Sequence, residues 1–245
     1  MVNYGVELFT LSKDQFKLYF DTLHRLRNEI RIELVPEKKH VYVRAMDRAT
    51  VCMSEMVLRV PPKEFLAFEI ALESVIKLSP KKDVTFFHDG NRIILSNGDF
   101  ALKVTELDPR VTKLREVAKF PTLAHTAKLY LDKPTIEKWY EYFKVINAGE
   151  GVRFIVKDKQ LTVSGVVENS DELEMPVAIP VDGEDSNTRY PLEPITDAFA
   201  HYKVYDTATV YLGNKLPLQL ELGSDLLSIK TGIAPRLDGD EDFDE

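Results

Sequence analysis

Cysteine is nearly missing from this chain: Cys52 is the only one among 245 residues, beside a single tryptophan, Trp139. A lone cysteine excludes an intrachain disulfide and every cysteine-built zinc module, and it suits a reducing compartment. Long apolar runs are also lacking, and none approaches the roughly 18 residues that a helical membrane span needs. The first residues, Met1-Val2-Asn3-Tyr4-Gly5, have no basic stretch followed by an apolar one, which predicts no secretory leader. Catalytic signatures are wanting too. The five histidines, His24, His40, His88, His125 and His201, have no metal-ligand spacing, and neither HExxH nor GxSxG occurs. Gly149-Glu150-Gly151 falls between a predicted helix and a strand, so it lacks the following helix that a dinucleotide loop requires. The expectation is a chain with no catalytic residue, no metal site and no cofactor.

Hydrophobic residues make up 44% and charged residues 29%, the composition of an ordinary globular protein. The net charge of -8 is unevenly placed. Residues 238–245 read Asp-Gly-Asp-Glu-Asp-Phe-Asp-Glu, with six acids and no base; without them 34 acids face 32 bases, a net of -2. The sign of the whole chain therefore says little about its partners, and the placement of the lysines matters more. The tail itself reads as a solvated, disordered end, with a nucleic-acid mimic or a partner handle as the other readings.

What is present is an internal repeat. Leu11-Ser12-Lys13-Asp14-Gln15-Phe16 resembles Leu131-Asp132-Lys133-Pro134-Thr135-Ile136, at an offset of 131 - 11 = 120. Val41-Tyr42-Val43 and Leu161-Thr162-Val163 share that offset, as do Leu72-Glu73 and Leu192-Glu193. Three matches at one offset and in one order predict two copies of one domain. Beyond them the register drifts by a few residues, as a loop insertion would cause.

Each copy reads as strand, helix, three alternating strands, a second helix and three closing strands. The opening strands are placed at 4–10 and 126–131. Ser12 ahead of Lys13-Asp14-Gln15 has the form of a capping box, and Asp132 with Pro134 marks the equivalent start in the second copy. Alternating strands follow at 29–35, 41–45 and 52–60, then at 153–157, 160–166 and 173–181. Second helices are expected from Leu72 and from Leu192. Closing strands at 84–88, 92–96 and 100–107 are punctuated by Asp89-Gly90 and Asn97-Gly98, both tight hairpin signals. The fold class is α+β, two tandem antiparallel copies with two helices each. The boundaries are 1–108, a connector at 109–123 bracketed by Pro109 and Pro121, a second copy at 124–237, and the acidic tail at 238–245.

Phe16, Tyr19, Phe20 and Leu23 form the apolar stripe of the first helix, as Ile136, Trp139, Tyr140 and Phe143 do in its counterpart. Lysines recur beside these stripes and at the ends of the second helices: Lys13, Lys17, Lys77, Lys81, Lys82, Lys138, Lys144 and Lys203. Each alone is an ordinary solvated side chain. Their recurrence on equivalent helices also fits a basic wall that attracts phosphates without reading bases. Cys52, between Val51 and Met53 in a predicted strand, reads as an inert buried thiol.

Several local motifs resemble those of PCNA-type sliding clamps, the archaeal versions most of all. They are Ala45-Met46-Asp47 with Val51, Phe65 to Glu73, Arg189-Tyr190-Pro191-Leu192-Glu193, Gly213 to Leu218 with its Pro217-Leu218, and Ile233-Ala234-Pro235-Arg236. The resemblance spans the chain and implies the DNA-clamp fold: a ring, usually a homotrimer, with sheets outside and helices lining a hole that encircles duplex DNA. It implies a non-enzymatic processivity factor for replication and repair that tethers DNA polymerase and other enzymes. The eight lysines would face DNA, and an ATP-driven loader would open the ring. A pocket for short hydrophobic peptides would involve Met46, Val51, Met53, Pro217, Ile233, Ala234 and Pro235, with Phe120 and Leu123 from the connector. Subunits would join through Phe100, Leu102 and Val104 of one edge strand and Arg189 and Tyr190 of another. The implied location is cytoplasmic for an archaeal protein and nuclear for a eukaryotic one. Three features depart from the family: a connector with Arg110, Lys113, Arg115 and Lys119 against Glu116 alone, a very short link at Pro61-Pro62-Lys63, and a second edge strand cut short by Pro191. They keep open a heterotrimer subunit or an accessory module that forms no homotrimer. An α+β enzyme of unrecognised type remains the rival from another class.

Overall fold

A computed structural model of the chain describes residues 4–26, 29–46, 52–108, 110, 120, 122–146, 151–166, 171–177 and 179–236. Two compact units emerge, Met1–Phe120 with Asp225–Ile229, and Pro121–Ser224 with Lys230–Glu245. The tail at 238–245 and the connector apart from Arg110, Phe120, Thr122 and Leu123 lie outside the described residues.

The first unit runs β1 (Val6–Leu11), α1 (Lys13–Leu26), β2 (Glu29–Val35), β3 (His40–Met46), β4 (Cys52–Leu58), β5 (Leu66–Ala71), β6 (Val84–His88), β7 (Arg92–Ser96) and β8 (Ala101–Thr105). Its strands pair antiparallel in the orders β1-β6-β7-β8 and β4-β3-β2-β5. The second unit holds β9 (Ala127–Asp132), α2 (Lys133–Phe143), β10 (Val152–Lys157), β11 (Gln160–Val166), β12 (Glu172–Val177), β13 (Asp182–Gly183), β14 (Ser186–Tyr190), α3 (Leu192–Phe199), β15 (Thr207–Leu212) and β16 (Leu218–Gly223), and β17 (Leu227–Ile233) is the last strand among the described residues. Its orders are β9-β15-β16-β17 and β12-β11-β10-β14, the same arrangement strand for strand, with β13 added beside β9. Four element starts keep the offset predicted from sequence: α1 and α2, β3 and β11, β4 and β12, β5 and β14 each begin 120 residues apart. Antiparallel sheets with few helices make this an α+β fold.

Local chemistry explains the boundaries. Gln15 N–H donates to Ser12 Oγ at 3.2 Å while Ser12 N–H donates to Gln15 Oε1 at 3.0 Å, the reciprocal capping box that starts α1. Asp132 caps α2 by accepting the Thr135 N–H at 3.0 Å. Gly90 and Gly98 take φ of +100° and +87°, which a tight hairpin demands and a side chain resists. The alternating strands bury one face each, as in Ile30, Ile32 and Leu34 of β2. Each unit has its own aromatic core. Phe9 stacks on Phe86 at 4.4 Å in the first, near Phe16 and Phe20. Trp139, Phe143, Phe154 and Phe199 cluster within about 6.5 Å in the second. Cys52 is buried, as its strand position predicted.

One predicted helix does not form. From Leu72 the chain makes turns, with a single helical bond from Ile76 N–H to Leu72 O and a tighter one from Leu78 N–H to Val75 O. Only seven residues separate the end of β5 from Ser79, and Pro80 disfavours helical backbone at the residue before it. Among the described residues between β1 and β8 the first unit thus has one α-helix where two were expected, while the second unit has both. No described helix is long and apolar enough to cross a membrane.

Candidate functional site

The predicted basic residues all reach solvent. Lys13, Lys17, Lys77, Lys81, Lys82, Lys138, Lys144 and Lys203 are exposed. Lys13, Lys17 and Lys77 come together in the first unit around a shallow depression of about 320 Å³, floored by Phe16, Phe20 and Ile76. Asp14 and Asp21 share its rim. Other lysines are engaged. Lys77 pairs with Glu73 at 3.4 Å, Lys82 with Asp99 at 2.8 Å and Lys144 with Glu141 at 2.8 Å. Lysine is not shared by all four predicted helices, because α3 (Leu-Glu-Pro-Ile-Thr-Asp-Ala-Phe) has none and Lys203 lies in the 3-10 turn Tyr202–Val204 that follows it.

The residues assigned to a peptide pocket fall in both units. In the first, Met46 and Met53 are directly opposed across β3 and β4, half-buried on the same face. Unbranched, polarizable side chains so placed make an adaptable apolar surface. Val51 lies outside the described residues, and Phe120 is half-buried. In the second unit Leu123, Pro217, Ala234 and Pro235 are half-buried, whereas Ile233 is fully buried and supports the surface from beneath.

The two predicted subunit edges differ. β8 is an edge strand of its sheet, with Phe100 and Leu102 half-buried and Val104 almost covered. The strand of Arg189 and Tyr190 is also at the end of its sheet, with one outer backbone bond: the Arg189 carbonyl accepts the Arg236 N–H at 2.8 Å. The Tyr190 side chain is fully buried, its hydroxyl donating to the Leu216 carbonyl at 2.8 Å. The same contact occurs 120 residues earlier, where Leu107 N–H donates to the Glu69 carbonyl. The other edge of that second-unit sheet is β12, which carries Pro176. A proline there forfeits no ladder bond if its missing N–H faces outward, as edge strands allow. In the connector, Arg110 spends its charge locally, gripping Asp108 in bidentate fashion at 3.0 and 2.7 Å.

The sequence gives no sign of a polar cluster on the second unit. A depression of about 510 Å³ is lined by residues 122–128 with Asp182, Tyr211, Gln219, Glu221 and Lys230. Glu221 is its hub, accepting from Gln219 Nε2 at 3.0 Å, Tyr211 Oη at 3.1 Å and Lys230 Nζ at 3.2 Å. The Lys128 ammonium lies over the rings of Tyr130 and Tyr211 at 4.6 and 5.2 Å. These residues come from four strands, so no linear motif announces them. His125 Nε2 sits 3.1 Å from the Pro217 carbonyl. Burial pushes the His125 imidazole below its ordinary pKa of 6.5, opposed by the Pro217 carbonyl and Glu221 and aided by Lys230. The native state therefore resists taking a proton that the unfolded chain accepts below about pH 6.5. Stability contributed by neutral His125 is complete above that pH and is lost as pH falls toward the depressed folded value. Thermal melts at pH 7.5 and pH 5.5 should show a larger loss of Tm for the native chain than for His125→Gln. Equal losses would show that the acid sensitivity lies elsewhere.

Among the described residues no group of three His, Cys, Asp or Glu side chains could hold a metal ion. Neither a family model nor a curated protein matches the sequence. Solved structures do match. The A. fulgidus PCNA bound to the C-terminal region of FEN-1 superposes with a TM-score of 0.78 over 96% of this chain and 100% of that one, at 17% identity. This chain has the PCNA clamp fold. PCNA from Entamoeba histolytica gives 0.73 over 95% and 100% at 14% identity. A chain of the PCNA2-PCNA3 complex from Sulfolobus tokodaii gives 0.72 over 94% and 99% at 17% identity. The clamp fold accounts for the duplicated sheet order and for the full-length cover in both directions.

Proposed function

We propose that this protein is a DNA sliding clamp, a ring-shaped processivity factor that encircles duplex DNA and tethers DNA polymerase and other DNA enzymes without chemistry of its own. The observation that carries the reading is the match of 95–96% of the chain to entire PCNA chains. Exposed lysines beside the first helix of each unit fit a screened, non-directional hold on phosphates, which permits sliding where base readout would not. Tethering raises the effective concentration of an enzyme at DNA, so a clamp needs only a peptide-binding surface. The opposed pair Met46 and Met53 suits that role in the first unit, and Leu123, Pro217, Ala234 and Pro235 suit it in the second. The FEN-1 segment on the A. fulgidus protein is an example of such a peptide.

The subunit joint is assigned to β8 of one chain and β12 of the next, which replaces the pairing through Arg189 and Tyr190. Both are sheet edges, and unpaired edges invite strand addition. A heterotrimer is the second reading, favoured by the PCNA2-PCNA3 complex among the structural neighbours. A stable ring would need an ATP-driven loader, and its place would be wherever the genome is copied, the cytoplasm of an archaeon or the nucleus of a eukaryote. The test is stimulation of a partner polymerase on primed circular DNA together with mass in solution by light scattering. Three chains of 28.0 kDa make 84 kDa; that mass with longer products is expected. A 28.0 kDa species that gains no partner subunit and leaves product length unchanged overturns the proposal.

A further inference from the structure

The internal repeat offers a controlled comparison of the two helical faces, because positions 120 apart occupy equivalent places. Lys17 on α1 corresponds to Glu137 on α2, and Lys77 to Asp197 on α3. Between β5 and β6 the first unit carries Lys77, Lys81 and Lys82, whereas between β14 and β15 the second carries Lys203 as its single lysine. Over residues 13–24 and the 72–83 segment between β5 and β6 the first unit carries five lysines against four carboxylates, a net of +1. Over 133–144 and the 191–206 segment between β14 and β15 the second carries four lysines against five carboxylates, a net of -1.

Packing follows the same division. In the first unit the failed helix after Leu72 leaves the depression on which Lys13, Lys17 and Lys77 converge. Lys13, Lys17 and Lys81 make no ion pair among the described residues. The equivalent place in the second unit is filled. Tyr140 and Tyr202 approach to 5.2 Å between ring centres, and the Tyr202 hydroxyl donates to Glu137 at 3.2 Å. Lys144 lies over Tyr140 and Lys203 over Tyr202, at 5.1 and 5.8 Å, and Lys144 is bound to Glu141 besides. Lys133 pairs with Asp206 at 3.5 Å. Cations already paired with carboxylates add little net charge to meet a phosphate, whereas unpaired ones add more.

We infer that the two halves of this clamp do not share the duplex equally: the phosphate-holding surface is the Lys13–Lys17–Lys77 depression of the first unit, with Lys81 beside it, and the helical face of the second unit adds little net attraction. This rests on the sliding-clamp reading and refines it. Identical domains would hold DNA evenly around a ring; inverted charge at two equivalent positions makes alternating sticky and indifferent arcs.

The test is anisotropy of a fluorescent DNA duplex titrated with the full-length protein over a series of low salt concentrations. Three variants are compared with the native chain, each checked for an unchanged thermal melt. Lys13→Gln, Lys17→Gln and Lys81→Gln combined should weaken binding about tenfold and flatten the logarithmic salt dependence by roughly two to three, near 0.9 for each phosphate left without its lysine. Lys133→Gln and Lys144→Gln combined should change affinity by less than about twofold, since each of those ammonium groups already faces a carboxylate. Glu137→Lys with Asp197→Lys, which gives the second unit the first unit's charges, should tighten binding several-fold. Equal losses in the two glutamine variants, or a greater loss in the second, would overturn the asymmetry while leaving the clamp reading intact. No duplex binding by the native chain at any salt, or no response from any variant, would overturn the asymmetry and the DNA-encircling role with it.

Discussion

Trp139→Ala is expected to cost about 3–5 kcal/mol, the range for truncating a large aromatic in a packed core. Trp139 is 1% exposed and is surrounded by Phe143, Phe154 and Phe199 at 5.8 to 6.2 Å between ring centres. These rings come from α2, β10 and α3, so the one side chain ties the helices of the second unit to its sheet. Removing it leaves a void that rigid aromatic neighbours fill poorly, and the cavity adds to the lost transfer energy. Against a typical stability of about 5–15 kcal/mol, such a loss is a large fraction of the total. Denaturant unfolding followed by circular dichroism measures it. The first unit has a separate core around Phe9, Phe16 and Phe86, so a biphasic transition with only the second phase displaced is the expected form. A loss under about 1 kcal/mol would mean that the second core repacks around the gap.

The second large effect concerns assembly. Leu102→Glu should shift the solution mass from about 84 kDa, three times 28.0 kDa, toward 28.0 kDa. Leu102 is half-buried on the edge strand β8 and pairs with Leu95 of β7 on its inner side. A charge at that position meets solvent in the separate chain, so the fold tolerates it. In a β8–β12 joint it would lose water without gaining a partner, and Glu172 and Glu174 of β12 would add repulsion. Light scattering over a dilution series reads the mass directly. Arg189→Glu serves as the contrast, because the Arg189 carbonyl is already taken by Arg236; it should leave the mass unchanged. If Arg189→Glu dissociates the assembly and Leu102→Glu does not, the joint lies on β14 after all.

Much of the fold was legible in the residues because its signals are local. β2, β6, β7 and β11 have the limits that alternation and turn residues predict. The capping box at Ser12 and the Asp132 cap are interactions across three residues, and a short window contains everything that forms them. The helix expected from Leu72 failed for a reason also near at hand, the Ser79-Pro80 pair, which the likeness to Leu192 and its helix obscures. β13 escapes detection because a two-residue strand, Asp182–Gly183, has no period.

Sites fared differently from elements. The predicted lysines are exposed, although Lys77, Lys81, Lys82 and Lys203 lie outside the α-helices, and their ion pairs and ring contacts decide how much charge each one offers. Tyr190 resembles an edge residue in its motif, but only the turn carrying Leu216 reveals that its hydroxyl points inward. The Glu221 hub joins residues from β15, β16 and β17, each unremarkable in its own segment. By itself the sequence determined the duplication, the strands, the caps and the absence of catalytic motifs, because hydrophobic period, turn chemistry and repeat offset act over a few residues or recur at one spacing. The tertiary structure alone decided which sheet edge stays open, which lysines stay free and which buried groups cluster, because strand pairing and charge neutralisation depend on residues that only the folded chain brings within bonding distance.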